Sequence, residues 1–263
     1  ILIIKKMARY KGGVSLMSKN IKELLSFIDS SPTAFHAVSN IADLLDKEGF
    51  KKLSESETWD IKKGGKYYVC RNSTSIAAVK IGKKLDNYSF NIAASHSDSP
   101  NFKIKENAEL SVRDKYIQLN TEGYGGMIAS TWLDRPLSVA GRVIIKNGNK
   151  YESRLINIDR DLVLIPNLAI HMNRKVNEGI ALNKQIDMLP LFSSGEGKKD
   201  ALKNLIANEL EVSESNIYGS DLYLYNRMKS SVWGENSEFF SAPRIDNLEC
   251  AFTSLKGFIR GAN

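Results

Sequence analysis

The segment Tyr88-Ser89-Phe90-Asn91-Ile92-Ala93-Ala94-Ser95-His96-Ser97-Asp98-Ser99-Pro100 decides how the chain is read. Residues 88–95 read as a strand that ends in small side chains. That strand delivers His96 and Asp98 to one side, because residues i and i+2 share a face in extended structure. A metal-binding histidine commonly gives its second ring nitrogen to a carboxylate, which fixes the tautomer and the ring orientation. His-x-Asp at a strand end therefore suits metal binding by His96 with Asp98 orienting it. The small neighbours leave room for a metal and a substrate. A surface turn without metal is the plain alternative, since the pair alone is a short motif.

Upstream, Ile21, Leu24, Leu25 and Ile28 recur at helical spacing over residues 18–29. Ser30-Ser31-Pro32 stops that helix and starts another, with Ser31 as its cap and Pro32 at its first position. The second helix carries Phe35, Val38, Ile41, Leu44 and Leu45 on one face and ends before Gly49. After Gly64-Gly65 the period switches, predicting strands over 66–71 and 75–81 with a turn at Asn72-Ser73. Helices followed by strands at this spacing open an α/β domain.

Beyond Pro100 the texture changes. Short β-like runs recur at 102–105, 110–112, 116–119, 137–145, 162–165 and 217–224, with turns at Gly125-Gly126 and Asn147-Gly148-Asn149. One helix stands out over 200–210, with Leu202, Leu205, Ile206 and Leu210 on one face. Near Glu238 the earlier pattern returns as a strand over 238–242 and a helix over 247–259. The expected division is an N-terminal extension, disordered or spurious, over 1–16 and the first part of an α/β domain over 17–99. A β-rich insertion follows over 100–236, and the α/β domain continues over 237–263. A sheet of about four strands left open at that point reads as unfinished, so a fragment, or a chain with its C-terminal part missing, is expected.

Composition narrows the classes. With 263 residues, 42% hydrophobic and 25% charged, the chain is an ordinary globular protein with no transmembrane or collagenous signature. The formal net charge is +7, from 37 Lys and Arg against 30 Asp and Glu. Lys5, Lys6, Arg9, Lys11 and Lys19 put +5 of it in the first twenty residues, where no acid occurs, and +7 less +5 leaves +2 over the rest. The remaining lysine doublets are scattered, so no nucleic-acid face is expected. Ile1 to Ile4 is an apolar run too short for a signal-peptide core, and no membrane partner is expected. Cys70 and Cys250 stand far apart with no Cys-x-x-Cys, so a reducing cytoplasm is the expected location.

The other candidate residues are carboxylates and histidines. Ser241-Ala242-Pro243-Arg244-Ile245-Asp246-Asn247-Leu248 leads from a strand into a helix, and Asp246 there is either a metal-bridging carboxylate or a helix N-cap. His171 lies in Ile165-Pro166-Asn167-Leu168-Ala169-Ile170-His171, where nothing local distinguishes it from a surface histidine. His36, in the second helix, receives no role. There is no P-loop and no Gly-x-Ser-x-Gly elbow, and Gly123-Tyr124-Gly125-Gly126 lacks dinucleotide-binding spacing.

Several segments together resemble the aspartyl aminopeptidase family of zinc metallopeptidases. They are Ser30-Ser31-Pro32-Thr33-Ala34-Phe35-His36-Ala37-Val38, Trp59 with Lys63-Gly64-Gly65-Lys66-Tyr67-Tyr68, and the His96–Asp98 segment. Further along come Tyr124-Gly125-Gly126 with Trp132-Leu133-Asp134-Arg135-Pro136-Leu137, the His171 segment, and Pro243-Arg244-Ile245-Asp246-Asn247-Leu248. The matches run in family order from about residue 18 onward.

The resemblance implies a three-layer α/β/α catalytic domain of the zinc exopeptidase type, interrupted by a β-rich dimerisation domain, and homo-oligomers built from dimers into dodecamers. It implies two zinc ions per complete subunit, with manganese or cobalt also compatible with such donors. His96 would then be a metal ligand, Asp98 the catalytic carboxylate that orients it, and Asp246 the carboxylate bridging both ions. His171 would reach a neighbouring subunit's active site to bind substrate. The implied activity is removal of N-terminal, acidic residues from peptides. The family's glutamate base and remaining ligands follow the Asp-Asn segment, and no Glu-Glu pair occurs in these 263 residues. Two ligands are too few for a dinuclear site, so the chain alone is expected to be inactive. A second expectation, from another class, is a non-catalytic oligomerisation module of the same descent.

Overall fold

The computed structural model describes residues 5–6, 14–86, 89–194 and 199–261. In chain order the elements are β1 (Lys5–Lys6), α1 (Val14–Asp29), α2 (Ala34–Lys47), β2 (Lys51–Leu53), β3 (Lys66–Arg71), β4 (Ser75–Lys80), β5 (Asn101–Val112) and β6 (Tyr116–Tyr124). They continue with β7 (Leu137–Asn147), β8 (Lys150–Asn157), β9 (Leu191–Ser194), α3 (Ala201–Glu209), β10 (Ile217–Asn226), β11 (Ser231–Trp233), β12 (Phe239–Ser241) and α4 (Ile245–Arg260). The chain divides into two units: one runs continuously over Pro100–Met228, and the other joins Leu2–Ser99 to Lys229–Asn263.

The discontinuous unit carries α1, α2 and α4 with two three-stranded sheets, ordered β1-β12-β11 and β2-β3-β4. β2 runs parallel to β3, and β3 turns into β4 as a hairpin from Arg71–Ser75 back to Lys66–Lys80. Asn72 and Ser73 make that turn in the left-handed region, with φ of 51° and 59°, which asparagine tolerates better than most residues. The apolar faces read from the helical spacing meet in one core. Leu24, Phe27 and Ile28 of α1 and Ile41 and Leu45 of α2 pack with Tyr68, Phe252 and Leu255.

The structure corrects four expectations in this unit. α2 starts at Ala34 with Thr33 ahead of it, not at Pro32. Ser31 completes the preceding turn by donating its N–H to Ile28 O, and its hydroxyl accepts Asn40 Nδ2 at 2.9 Å. Residues 89–95 form no strand, and Phe90 and Ile92 are 76% and 85% exposed. Side-chain pattern alone does not make a strand: a ladder needs a neighbouring backbone, and residues 89–95 join no ladder among the described residues. Tyr88 lies outside the described residues. Of the expected extension over 1–16, residues 1–4 and 7–13 also lie outside them, whereas Lys5–Lys6 pair with β12 and α1 begins at Val14. The second junction falls at Met228, not 236. β11 pairs with β12, and Ser230 donates its N–H and hydroxyl to the Asp29 carboxylate, which ties residues 229–236 to the discontinuous unit.

The continuous unit is a six-stranded sheet ordered β8-β7-β10-β5-β6-β9, antiparallel throughout, with α3. Gly148-Asn149 closes the β7–β8 hairpin at the Asn147–Lys150 rung, with Gly148 at φ 61° as a tight two-residue turn requires. β10 runs so close along β7 that a Cβ on Gly141 would collide with Asp221 O. The core gathers Phe102, Leu119, Leu137, Val139, Ile145 and Leu224, with Leu202 and Ile206 from α3. Residues 162–165, expected as a strand, form only isolated bridges, Leu137–Val163 and Leu164–Leu191 among them.

Candidate metal centre

His96 and Asp98 follow the extended segment as the sequence suggests, although that segment is not a ladder strand. His96 Nδ1 lies 2.9 Å from Asp98 Oδ1 and 3.2 Å from Asp98 O. An ionised carboxylate only accepts, so Nδ1 carries the proton and donates it. This leaves the lone pair on Nε2, the donor arrangement of a histidine held for a metal. The His96 side chain is 60% exposed, and an ion reaches it without displacing protein.

Asp246 occupies an unusual piece of backbone. Arg244 has φ 56°, Asp246 and Asn247 depart from helical angles, and the peptide between these last two is cis. The regular helix begins afterwards, with Leu248 N–H bonded to Arg244 O at 3.1 Å. Asp246 therefore sits in the non-helical first turn of α4, where Arg244 holds the cap position, and among the described residues its carboxylate caps no N–H. This removes the N-cap reading and leaves the carboxylate as a candidate ligand.

Sequence reasoning gave no role to two further residues, His36 and Arg244. His36 Nδ1 lies 2.8 Å from Thr33 Oγ1. Burial, and then the Arg244 charge, push the His36 imidazole down to about 4. Arg244 in turn donates Nη2 to Ile28 O at 3.0 Å. The backbone ahead of Asp246 is thus tied through Arg244 to the end of α1. Both residues lie in quoted motifs, but no local spacing links position 36 to position 244.

His171 stands exposed in a turn of the continuous unit, within a stretch that holds no regular strand or α-helix. Leu168, Ile170 and Met172 around it are exposed as well, Met172 to 75%. Among the described residues, no three His, Cys, Asp or Glu side chains come together to hold a metal. Of the four expected site residues, the structure pairs only His96 with Asp98. Those two side chains and the Asp246 carboxylate are donors of the kind zinc takes. Cys70 and Cys250 are free thiols. No helix among the described residues is long and apolar enough to cross a membrane.

The family model described as Aminopeptidase I zinc metalloprotease (M18) matches residues 27–263. A probable M18 family aminopeptidase 2 of Clostridium novyi is 48% identical over 245 residues, 91% of this chain and 57% of that protein. The cryo-EM structure of the Ape4 and Nbr1 complex contains a chain that matches with a TM-score of 0.88 at 33% identity, over 96% of this chain and 53% of that one. The S. cerevisiae mApe1 dodecamer matches with a TM-score of 0.73 at 28% identity, over 90% of this chain and 55% of its own. The chain thus spans about half the length of the relatives it matches. Its fold is the α/β exopeptidase type of these aminopeptidases.

Proposed function

The chain belongs to the Aminopeptidase I zinc metalloprotease family (M18), and from that membership we propose that it serves a metal-dependent aminopeptidase removing N-terminal, acidic residues from peptides. The single observation that carries the reading is the His96–Asp98 pair, with Nδ1 engaged and Nε2 left for a metal. His96 and Asp246 would hold zinc as first ligands, Asp246 between two ions, and Asp98 would fix the His96 ring. Zinc, when bound, supplies Lewis-acid polarisation of the scissile carbonyl. Arg244, bonded to Ile28 O, would position the backbone that carries Asp246.

The homo-oligomer reading draws on the dodecameric relative and on the exposed Leu168, Ile170 and Met172 around His171. Apolar side chains gathered on a surface mark contact sites, and His171 would enter a neighbouring subunit's active site from there. A cytoplasmic location rests on cysteine usage alone. In these 263 residues His96 and Asp246 are two ligands where a catalytic zinc usually has three, so the isolated chain should not turn over. The test is to purify the chain, add zinc and assay aspartyl and glutamyl peptides beside a full-length relative. Comparable turnover would end the claim of inactivity. A stable oligomer that takes up no zinc would favour the oligomerisation module instead.

A further inference from the structure

The sheet of the continuous unit splits between two neighbouring strands. β10 pairs with β7 from Ile217 to Asn226, yet with β5 only at Tyr223–Lys103 and Leu224–Phe102. Beyond these two rungs the strands diverge, and a cleft of about 1230 Å³ opens between them. Both strands bulge there. On β5, Ile104 pairs with Thr121 and Glu109 with Leu119, so residues 105–108 hold more chain than β6 can match. On β10, Ile217 pairs with Ile145 and Gly219 with Ile144, which leaves Tyr218 as the extra residue. Bulges end a ladder and re-aim side chains, and they concentrate beside functional sites.

The opening is braced. Asn120 Nδ2 donates to Asn107 O at 3.0 Å, and Glu109 Oε1 accepts the Leu202 N–H at the start of α3 at 2.7 Å. Leu202 and Ile206 of α3 line the cleft and join the same core as Ile104 and Leu222. The edges of β10 over 217–222 and of β5 over 104–109 make no ladder with each other. In an antiparallel ladder alternate residues turn both N–H and C=O to the same neighbour, so roughly three residues of each edge address the gap. That length matches an ordinary strand of about five to six residues. Tyr116 and Tyr218 stand half-exposed in the lining, and Tyr218 is backed by an edge-on contact with Tyr151 at 5.1 Å. Tyrosines are enriched among residues that anchor partners. Charged side chains of both signs surround the cleft, so no net field selects an anion or a cation.

We infer that this cleft docks an extended polypeptide segment of another chain, added as a strand between β5 and β10 through its main chain, with side chains lying against Tyr116 and Tyr218. A pooled library of N-acetylated, C-amidated decapeptides, panned on the 263-residue protein and on Gly219→Trp, tests it. The blocked N-terminus keeps an aminopeptidase site out of the readout. Gly219 lines the cleft and a Cβ there meets nothing within 4 Å, so bulk can be added at this position without a collision at the Cβ. Tyr218→Ala serves as the second variant should Gly219→Trp melt early. Peptides should be enriched at least tenfold on the wild type over either variant. N-methylation of a selected peptide at alternate positions should weaken binding at least tenfold, and amides over 104–108 and 217–221 should gain exchange protection. Equal enrichment on wild type and variants, no enrichment, or indifference to N-methylation at every position overturns the inference.

Discussion

In the proposed site Asp98 would act through His96, and its contribution is separable from its charge. The 2.9 Å bond holds the ring with Nδ1 protonated, the tautomer a metal needs at Nε2. Asp98→Asn keeps the shape but weakens the acceptor and permits the amide to hold the other tautomer. Zinc affinity, read by competition with a chromophoric chelator, should fall about 10–100-fold, with His96→Ala falling further. His36 gives a second prediction with a definite sign. Its imidazole is pushed from an ordinary 6.5 to about 4 by burial and by Arg244. Its folded pKa lies below the unfolded one, so protons bind preferentially to the unfolded chain. The stabilisation is complete above about pH 6.5 and is lost as pH falls toward 4. Urea midpoints taken across this window should show the wild type losing up to about 3 kcal/mol. His36→Gln should flatten that loss, and an unchanged slope in the variant would refute the assignment. The sequence made the His96–Asp98 pair legible because both residues lie within one turn of chain. It could not show that the Arg244 charge acts on His36, because the two lie far apart in the chain and only the fold relates them.

At the level of elements, legibility followed how local the cause was. β3 was read to the residue, because its six residues and the Asn72-Ser73 turn are a self-contained hairpin signal. β7 and β10 were found from their apolar runs, and Asn147-Gly148-Asn149 marked the turn into β8. β8 itself was missed: Lys150, Tyr151, Glu152 and Arg154 make it polar, and its place is set by pairing with β7. The segment over 89–95 erred the other way, with a strand pattern but no place in a ladder among the described residues. The β7–β10 pairing also carries a stability prediction. Gly141 lies where a methyl group would collide with the main chain at Asp221, and neither strand can retreat without breaking the longest antiparallel ladder of the unit. Gly141→Ala should therefore destabilise by about 3 kcal/mol, the upper end of overpacking penalties. Thermal melting of the variant reads it directly, and a shift of under a degree would mean that β10 yields more readily than its register implies.

For the whole molecule, the connection between the units matters more than either boundary alone. The chain enters the continuous unit at Pro100 and leaves it at Met228, and the first paired rungs inside are Phe102–Leu224 and Lys103–Tyr223. Entry and exit therefore lie side by side on adjacent antiparallel strands, the geometry in which a domain can be inserted without disturbing its host. Each unit also keeps a core of its own: one gathers Phe102, Leu119, Leu137 and Leu224, the other Leu24, Phe27, Ile28 and Phe252. A unit with a private core and adjoining ends has what independent folding needs. Residues 99–229, expressed alone, should give a β-rich far-UV spectrum and a cooperative thermal transition, with Ile206→Ala lowering its midpoint by weakening the α3 contact. The 263-residue chain should then unfold in two steps, one of them coinciding with the excised piece. An excised piece that lacks a cooperative transition would show that the six-stranded sheet borrows its stability from the residues that flank it.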